Sequence, residues 1–438
     1  MLFSATANFA SKSFLVVNHL TAAGRKAYNS NKEGILVNTL LKPFYAVVPL
    51  SLEELFAEEL TKLGIEKFRL EKGGCWFGAE MSQMMQVNLW TRYASRILLK
   101  VTEGPYRTEE DIYKLAKSFR WEQYFTPENT FKIELSSRRS PLKSVAFAAL
   151  RVKDAVCDYF RETDGQRPDV EKHDPDIRIY VHLTDKNCII YLDTSGESLF
   201  KRGWREAKGE APLKENLAAG LLGLAGWTPD TPLQDPFCGS GTIIIEAATI
   251  ACNMAPGLNR RFGFERFRGF DSTAWQRIKK EARMAVNFDV PVNLAGSDIS
   301  TLIVDRAQKN AVLAGISQWV NEGKVRFTAC DAREVQPSTE TPGLIVTNPP
   351  YGEQSNPKSA SVASMMKNVA DNLKRNFAGW TVWMLTSDRE LPRQMRLKES
   401  KKIVFFNGPL ECRFFRFAMT AGSNRKEDVS QKEASSDL

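Results

Sequence analysis

The stretch Asp235-Pro-Phe-Cys-Gly-Ser-Gly-Thr242 follows a short apolar run and opens a strongly apolar helix. Its two glycines and small Ser240 keep the turn open, and a positive φ is expected at one or both glycines. Backbone N–H groups at such a helix start are free to meet a small charged or polar ligand. Outward from this turn, apolar runs and helical patterns alternate from residue 213 to 420, which predicts an α/β domain built on a doubly wound parallel sheet. Strands are expected over 233–237, 294–298, 325–330, 344–347 and 381–385, and helices over 213–224, 242–252, 301–314 and 359–377. An antiparallel hairpin over 402–406 and 414–419 closes the sheet.

In an open parallel sheet the ligand lies outside the carboxyl ends of the strands. Four strand ends here carry polar residues, so Asp235, Pro236, Phe237, Cys238, Gly239, Ser240, Gly241 and Thr242 are candidate cofactor-binding residues. Asp298, followed by Ile299, stands where an acid accepts hydrogen bonds from ribose hydroxyls. Asp331, followed by Ala332, can accept from an adenine amine. Either acid could instead cap a helix. A nicotinamide dinucleotide would require Gly-x-Gly-x-x-Gly, and Ile244 stands at the third glycine position.

The fourth strand ends in Asn348-Pro349-Pro350-Tyr351, the candidate catalytic residues. A planar exocyclic amine is a poor nucleophile because its lone pair is delocalised into the ring. The Asn348 side-chain oxygen and the Pro349 carbonyl can accept its two N–H bonds, leaving the lone pair free for an electrophile. Consecutive prolines fix the direction of that carbonyl, and Tyr351 can stack on the base. Asn348 also borders the cofactor crevice, and the chemistry calls for no strong base.

The 438 residues suggest two or three domains at about 150 residues each. A composition of 43% apolar and 26% charged residues is that of a globular protein. No apolar run reaches the roughly 18 residues of a membrane span. A net charge of +8 suits a polyanionic partner. Seven scattered cysteines without a Cys-x-x-Cys pair argue against disulfides or structural zinc and for a reducing, cytoplasmic compartment. His19, His173 and His182 form no ligand cluster, so no metal is expected.

Residues 1–41 are basic, acid-poor and serine-containing; the reading is a disordered leader or an early start, with a transit peptide as the minor alternative. Residues 42–103 form a small unit of βαββαβ order, with a capping box at Ser51-Leu-Glu-Glu54 and a hairpin turned at Gly73-Gly74. A second unit, 104–198, opens with a helix capped by Thr108 and holds a long helix over 143–160. Arg138, Arg139 and Lys143 cluster near the start of that helix as candidate RNA-binding residues, and Arg138 and Arg139, just before it, are placed to hold phosphate. The basic linker 199–212 contains Lys201-Arg202-Gly-Trp204-Arg205, which can stack on a base between phosphates or pack the domains together. The insertion 253–275 interleaves Arg260, Arg261 and Arg266 with phenylalanines, a pattern that suits single-stranded nucleic acid; alternatively the rings anchor the insertion. A polar tail, 421–438, is expected to be disordered.

Asp-Pro-Phe-Cys-Gly-Ser-Gly-Thr together with Thr347-Asn-Pro-Pro-Tyr-Gly-Glu353 resembles the S-adenosylmethionine-dependent amino methyltransferases. From residue 42 to 420 the chain resembles the RlmL family of THUMP-domain large-subunit rRNA methyltransferases. Further segments carry that resemblance, among them Leu89-Trp-Thr-Arg-Tyr-Ala-Ser-Arg96, Pro212-Leu-Lys-Glu215 and Asn407-Gly-Pro-Leu410. It implies a ferredoxin-like subdomain at 42–103, a THUMP RNA-binding domain at 104–198 and a Rossmann-like methyltransferase domain at 213–420. It also implies S-adenosylmethionine as cofactor and guanosine N2 in 23S rRNA, free or in a large-subunit precursor, as target. The leader has no counterpart in the family, and a second methyltransferase module fused in some relatives is not expected here. The same motif would serve a tRNA guanine-N2 enzyme. A non-catalytic RNA-binding assembly factor is the alternative of another class, against which the intact motifs argue. A 5-methylcytosine enzyme is disfavoured because Tyr351 stands where its nucleophilic cysteine would follow the proline.

Overall fold

The computed structural model describes residues 41–205, 213–350, 362–408 and 410–420. The expected leader, apart from Leu41, and the expected tail, the whole of the linker beyond Arg205, Tyr351 and the first three residues of the helix expected over 359–377 lie outside these residues. The N-terminal half runs β1 (Lys42–Val47), α1 (Glu53–Lys62), β2 (Phe68–Glu71), β3 (Gly74–Ala79), α2 (Met81–Trp90), β4 (Arg96–Pro105), α3 (Glu109–Lys117), β5 (Phe131–Ser137), α4 (Val145–Asp164), β6 (Ile177–Leu183) and β7 (Asn187–Asp193).

The sequence pattern reads as two small units, but the strands join into one sheet in the order β2-β3-β1-β4-β7-β6-β5. The join is β4, which pairs antiparallel with β1 through residues 96–99 and with β7 through 98–105. Alternation along β1 explains its burial on both faces: Phe44 and Ala46 enter the main core, while Tyr45 and Val47 pack with Leu98, Ile189 and Tyr191 on the other face. The Thr108 cap forms as read, its hydroxyl accepting from Asp111 N–H. Ser51 does not cap α1. It sits at φ 74°, its hydroxyl donates to the Val404 carbonyl 2.7 Å away, and Leu52 occupies the cap position.

The C-terminal half runs α5 (Glu215–Ala225), β8 (Leu233–Asp235), α6 (Thr242–Ala251), α7 (Ser272–Met284), β9 (Leu294–Asp298), α8 (Thr301–Leu313), α9 (Ser317–Asn321), β10 (Val325–Ala329), β11 (Leu344–Thr347), α10 (Val362–Asn376), β12 (Thr381–Thr386), α11 (Leu391–Gln394), β13 (Lys401–Asn407) and β14 (Leu410–Ala418). Its sheet has the order β10-β9-β8-β11-β12-β14-β13. The first five strands are parallel and β14 is antiparallel to both its neighbours. Burial on both faces is read directly off β12, where Val382 and Met384 enter one core and Trp383 and Leu385 the other. Strand order reverses between β8 and β11, which places the crevice at the ends of β8, β9 and β11.

The two halves share one apolar core. They meet closely enough that a Cβ on Gly220 of α5 would lie 2.5 Å from Leu52 Cδ1. Polar ties reinforce the contact: Arg92 donates to the carbonyls of Thr249 (3.0 Å) and Met254 (2.6 Å), and Asn216 Nδ2 donates to Tyr93 O at 3.1 Å. Among the described residues no helix is long and apolar enough to cross a membrane.

Candidate active site

The opening stretch forms the turn between β8 and α6. Gly239 and Gly241 take φ of 52° and 85°, so both expected left-handed positions are realised. Nothing lies within 4 Å of a Cβ placed on Gly239, so the loop is open to the crevice there. On Gly241 the same atom would crowd Ala307, Phe327 and Ile245 at 3.1–3.2 Å. Asn310 of α8 holds the loop from behind, donating to Ser240 O at 3.0 Å. Cys238 is buried, and burial pushes its thiol well above the ordinary range, which removes any nucleophilic role.

A hydrogen bond joins the stretch that opens with Asp235 to the candidate motif that begins at Asn348. Thr347, the last residue of β11, donates its hydroxyl to Asp235 Oδ1 at 2.6 Å, both groups being buried. The Phe237 N–H donates to the same oxygen at 3.1 Å. Burial, with the Asp298 carboxylate adding to it, lifts the Asp235 carboxyl to about 7, while these two hydrogen bonds oppose the rise. Asn348 follows Thr347 directly. Its Oδ1 is buried and accepts no hydrogen bond among the described residues. An unpaired buried amide oxygen is costly and marks a place for a donor.

At the neighbouring strand ends, Asp298 accepts from the Ser300 N–H at 3.0 Å and is half-buried. Ile299 is 71% exposed, an apolar side chain left uncovered beside the crevice. Asp331 stands at the end of β10 but is already engaged: Arg333 Nε lies 3.0 Å from each of its oxygens. That pair holds the Asp331 carboxyl below its ordinary range. A purine amine there would share the carboxylate with Arg333 or displace it. Ala332 is buried under α10, its carbonyl accepting from Asn372.

The expected RNA-binding residues divide by burial. Arg139, Lys143 and Arg261 are exposed, Arg138 is half-buried, and none of the four has an ion pair among the described residues. Lys201 is exposed and pairs with Glu197, and Arg266 pairs with Asp176. Arg202 and Trp204 are buried, and Arg205 and Arg260 are half-buried and held by groups within the protein. Arg202 is 4% exposed, sits between Glu246 and the Leu199 and Arg92 carbonyls, and Trp204 is buried too. Arg260 donates to the carbonyls of Ser195, Ser198 and Lys201 at 2.8–3.2 Å, so it braces the connector. Phe262, Phe264 and Phe267 are buried, with Phe262 and Phe264 edge-on to Trp275, so the rings anchor the insertion. Arg205 lies on the glycine turn: its Nη1 donates to Ser240 Oγ (2.8 Å), its Nη2 to Thr242 Oγ1 (3.1 Å) and its Nε to Glu215 Oε1 (3.0 Å). Sequence reading passed over Thr347, Asn310 and Glu215 as site residues. A threonine directly before Asn348 was the one local signal available for them.

Comparison with known proteins agrees with this geometry. Family models described as RlmL ferredoxin-like domain, THUMP domain, and RMKL-like methyltransferase domain match residues 43–98, 106–193 and 202–416. The ribosomal RNA large subunit methyltransferase K/L of Shewanella sp. strain ANA-3 is 39% identical over 392 residues, 88% of this chain and 54% of that protein. The chain thus spans about half the length of the curated relatives it matches. SMU.472, a methyltransferase candidate crystallised with SAH, superposes with a TM-score of 0.78 at 29% identity, over 88% of this chain and all of that one. A predicted N6-adenine-specific DNA methylase from Listeria monocytogenes gives 0.77 at 30% identity, over 86% and 96% of the two chains. The chain belongs to the RMKL-like methyltransferase family with an N-terminal THUMP domain.

Proposed function

We propose that this protein methylates the exocyclic N2 amine of a guanosine in 23S rRNA, free or within a large-subunit precursor in the cytoplasm, with S-adenosylmethionine as donor. The observation that carries the reading is the buried Asn348 Oδ1, unpaired among the described residues and held one residue from the Thr347–Asp235 bond that ties it to the glycine turn. An orphaned acceptor at the mouth of a cofactor crevice is complementary to an amine N–H. The open turn at Gly239, the exposed Ile299 and the Asp298 carboxylate fit an adenosine-type cofactor, the last by accepting from ribose hydroxyls. The SAH in the SMU.472 crystal supports that choice.

When bound, the cofactor supplies a methyl group on a sulfonium, which leaves as a neutral thioether. Asn348 Oδ1 accepts one N–H of the target amine and the Pro349 carbonyl the other, holding the nitrogen with its lone pair clear of the ring. Pro350 restricts the backbone so that the carbonyl keeps its aim. Tyr351 stacks on the base to keep it out of its helix. A nitrogen so held would face the bound methyl donor, and the proton it gives up on methylation would pass to water, so no side chain is required as a base. The contribution is positioning more than acid–base chemistry. Arg138, Arg139, Lys143 and Arg261 are the cations that hold the RNA backbone.

The named Listeria relative is described for adenine in DNA, whereas the Shewanella relative is described for large-subunit rRNA, and the THUMP match favours the latter. Mass-spectrometric mapping of modified nucleosides in RNA from cells with and without the protein decides between them. Loss of one N2-methylguanosine from 23S rRNA is expected, and loss from tRNA or from DNA adenine would overturn the substrate. In the purified enzyme Asn348→Ala is expected to lower methyl transfer by at least about 100-fold with SAH affinity nearly unchanged.

A further inference from the structure

The described part of the connector, up to Arg205, touches the cofactor turn more intimately than a linker needs to. Its guanidinium donates to two hydroxyls of the turn, Ser240 Oγ at 2.8 Å and Thr242 Oγ1 at 3.1 Å, and these residues straddle Gly241 at the start of α6. The other edge of the guanidinium is held by Glu215, the first residue of α5, with Nε at 3.0 Å and Nη2 at 2.9 Å from Oε1. Glu215 is itself 5% exposed, and the next residue, Asn216, donates to Tyr93 O and Ser95 Oγ of the N-terminal half. Three residues before Arg205, Arg202 joins Glu246 of α6 to the Arg92 carbonyl of that same half. The turn on which the ligand would rest is therefore gripped by a planar cation whose own position depends on how the RNA-binding half is seated.

We propose that Arg205, oriented by Glu215, is a positioning residue that holds the Ser240–Thr242 turn in its ligand-ready shape and couples cofactor affinity to the docking of the N-terminal half. The inference rests on the reading of the crevice as an S-adenosylmethionine site. A planar fork suits the task because it meets two hydroxyls and a carboxylate at once with little freedom left over; an ammonium on a flexible stem cannot. A glycine turn has many unbound conformations, and fixing it in advance lowers the entropic cost of binding.

The test uses the full chain and SAH as the probe, with affinity read by calorimetry and RNA binding read by filter retention at several salt concentrations. Arg205→Met is expected to weaken SAH binding about tenfold, to raise the KM for S-adenosylmethionine by a similar factor and to leave kcat at saturation near its original value. Arg205→Lys is expected to recover little of that loss, and the RNA affinity and its salt slope are expected to stay unchanged in both. Ser240→Ala removes one end of the contact without disturbing the connector; combined with Arg205→Met it should cost much less than the sum of the two single losses. Unchanged SAH affinity in Arg205→Met, additive losses in the double variant, or a fall in RNA salt slope would each overturn the proposal. Failure of the unaltered protein to bind SAH at all would instead sink the underlying assignment of the crevice.

Discussion

Asp235 is ordinarily expected to ionise near 3.8, yet inside the fold it titrates at about 7. Between roughly pH 4 and 7 the folded protein therefore holds a proton that the unfolded chain has lost. The stability this proton contributes is complete below pH 4 and is lost as the pH rises through 7. Asp235→Asn keeps an oxygen for the Thr347 hydroxyl and the Phe237 N–H but cannot ionise. The variant is expected to show a flatter loss of stability between about pH 4 and 7 than the native protein, measured as urea midpoints across that range. An identical slope in the two proteins would mean that Asp235 is not the group responsible. This residue was legible as a strand-end acid in sequence. Its burial and its bond to Thr347 were not, because they depend on β8 and β11 being neighbours although their ends lie more than a hundred residues apart.

At the scale of elements, strands β9 and β11 fall where the sequence puts them, since a buried parallel strand is an apolar run with an abrupt polar end. Helix α7 was missed although Trp275, Ile278 and Ala282 recur at helical spacing, because the arginine–phenylalanine pattern just before it drew the reading toward nucleic acid. The cations show the same limit. Sequence displays a charge, but only the packed elements reveal which carbonyls and carboxylates already hold it. Glu246 on α6 is the sharpest example, buried at 1% exposure with Arg202 Nε at 3.2 Å and Arg92 Nη1 at 3.6 Å. Glu246→Leu would strand two guanidinium groups inside the core, and a loss of about 3–5 kcal/mol in unfolding free energy is expected from chemical denaturation. A loss below about 1 kcal/mol would show that water reaches the arginines and that the seam between the halves is looser than its packing.

For the whole molecule, an RNA partner must be met by the cations the fold leaves outside. Log affinity should fall linearly with log salt, and neutralising Arg139, Lys143 or Arg261 to Gln should each reduce the slope by roughly one. Filter retention between about 50 and 200 mM salt measures this; slopes unaffected by all three changes would place the RNA on another face. The α/β class, the methyltransferase-type sheet with its closing hairpin and the four convergent strand ends could all be read from periodicity and motif. The continuity of the N-terminal sheet could not, since strand pairing between segments some ninety residues apart leaves no local trace.

That continuity bears on how such proteins are divided and recombined. The ferredoxin-like and THUMP matches end at 98 and begin at 106, so the border between them falls within β4, a strand hydrogen-bonded to both sides. A fragment begun at residue 106 would bare the edge of β7, where Cys188-Ile-Ile-Tyr-Leu192 presents an apolar run with unpaired backbone groups, the form of edge that seeds association between chains. A segment cut there would need β4, or another strand in its place, to cover that edge.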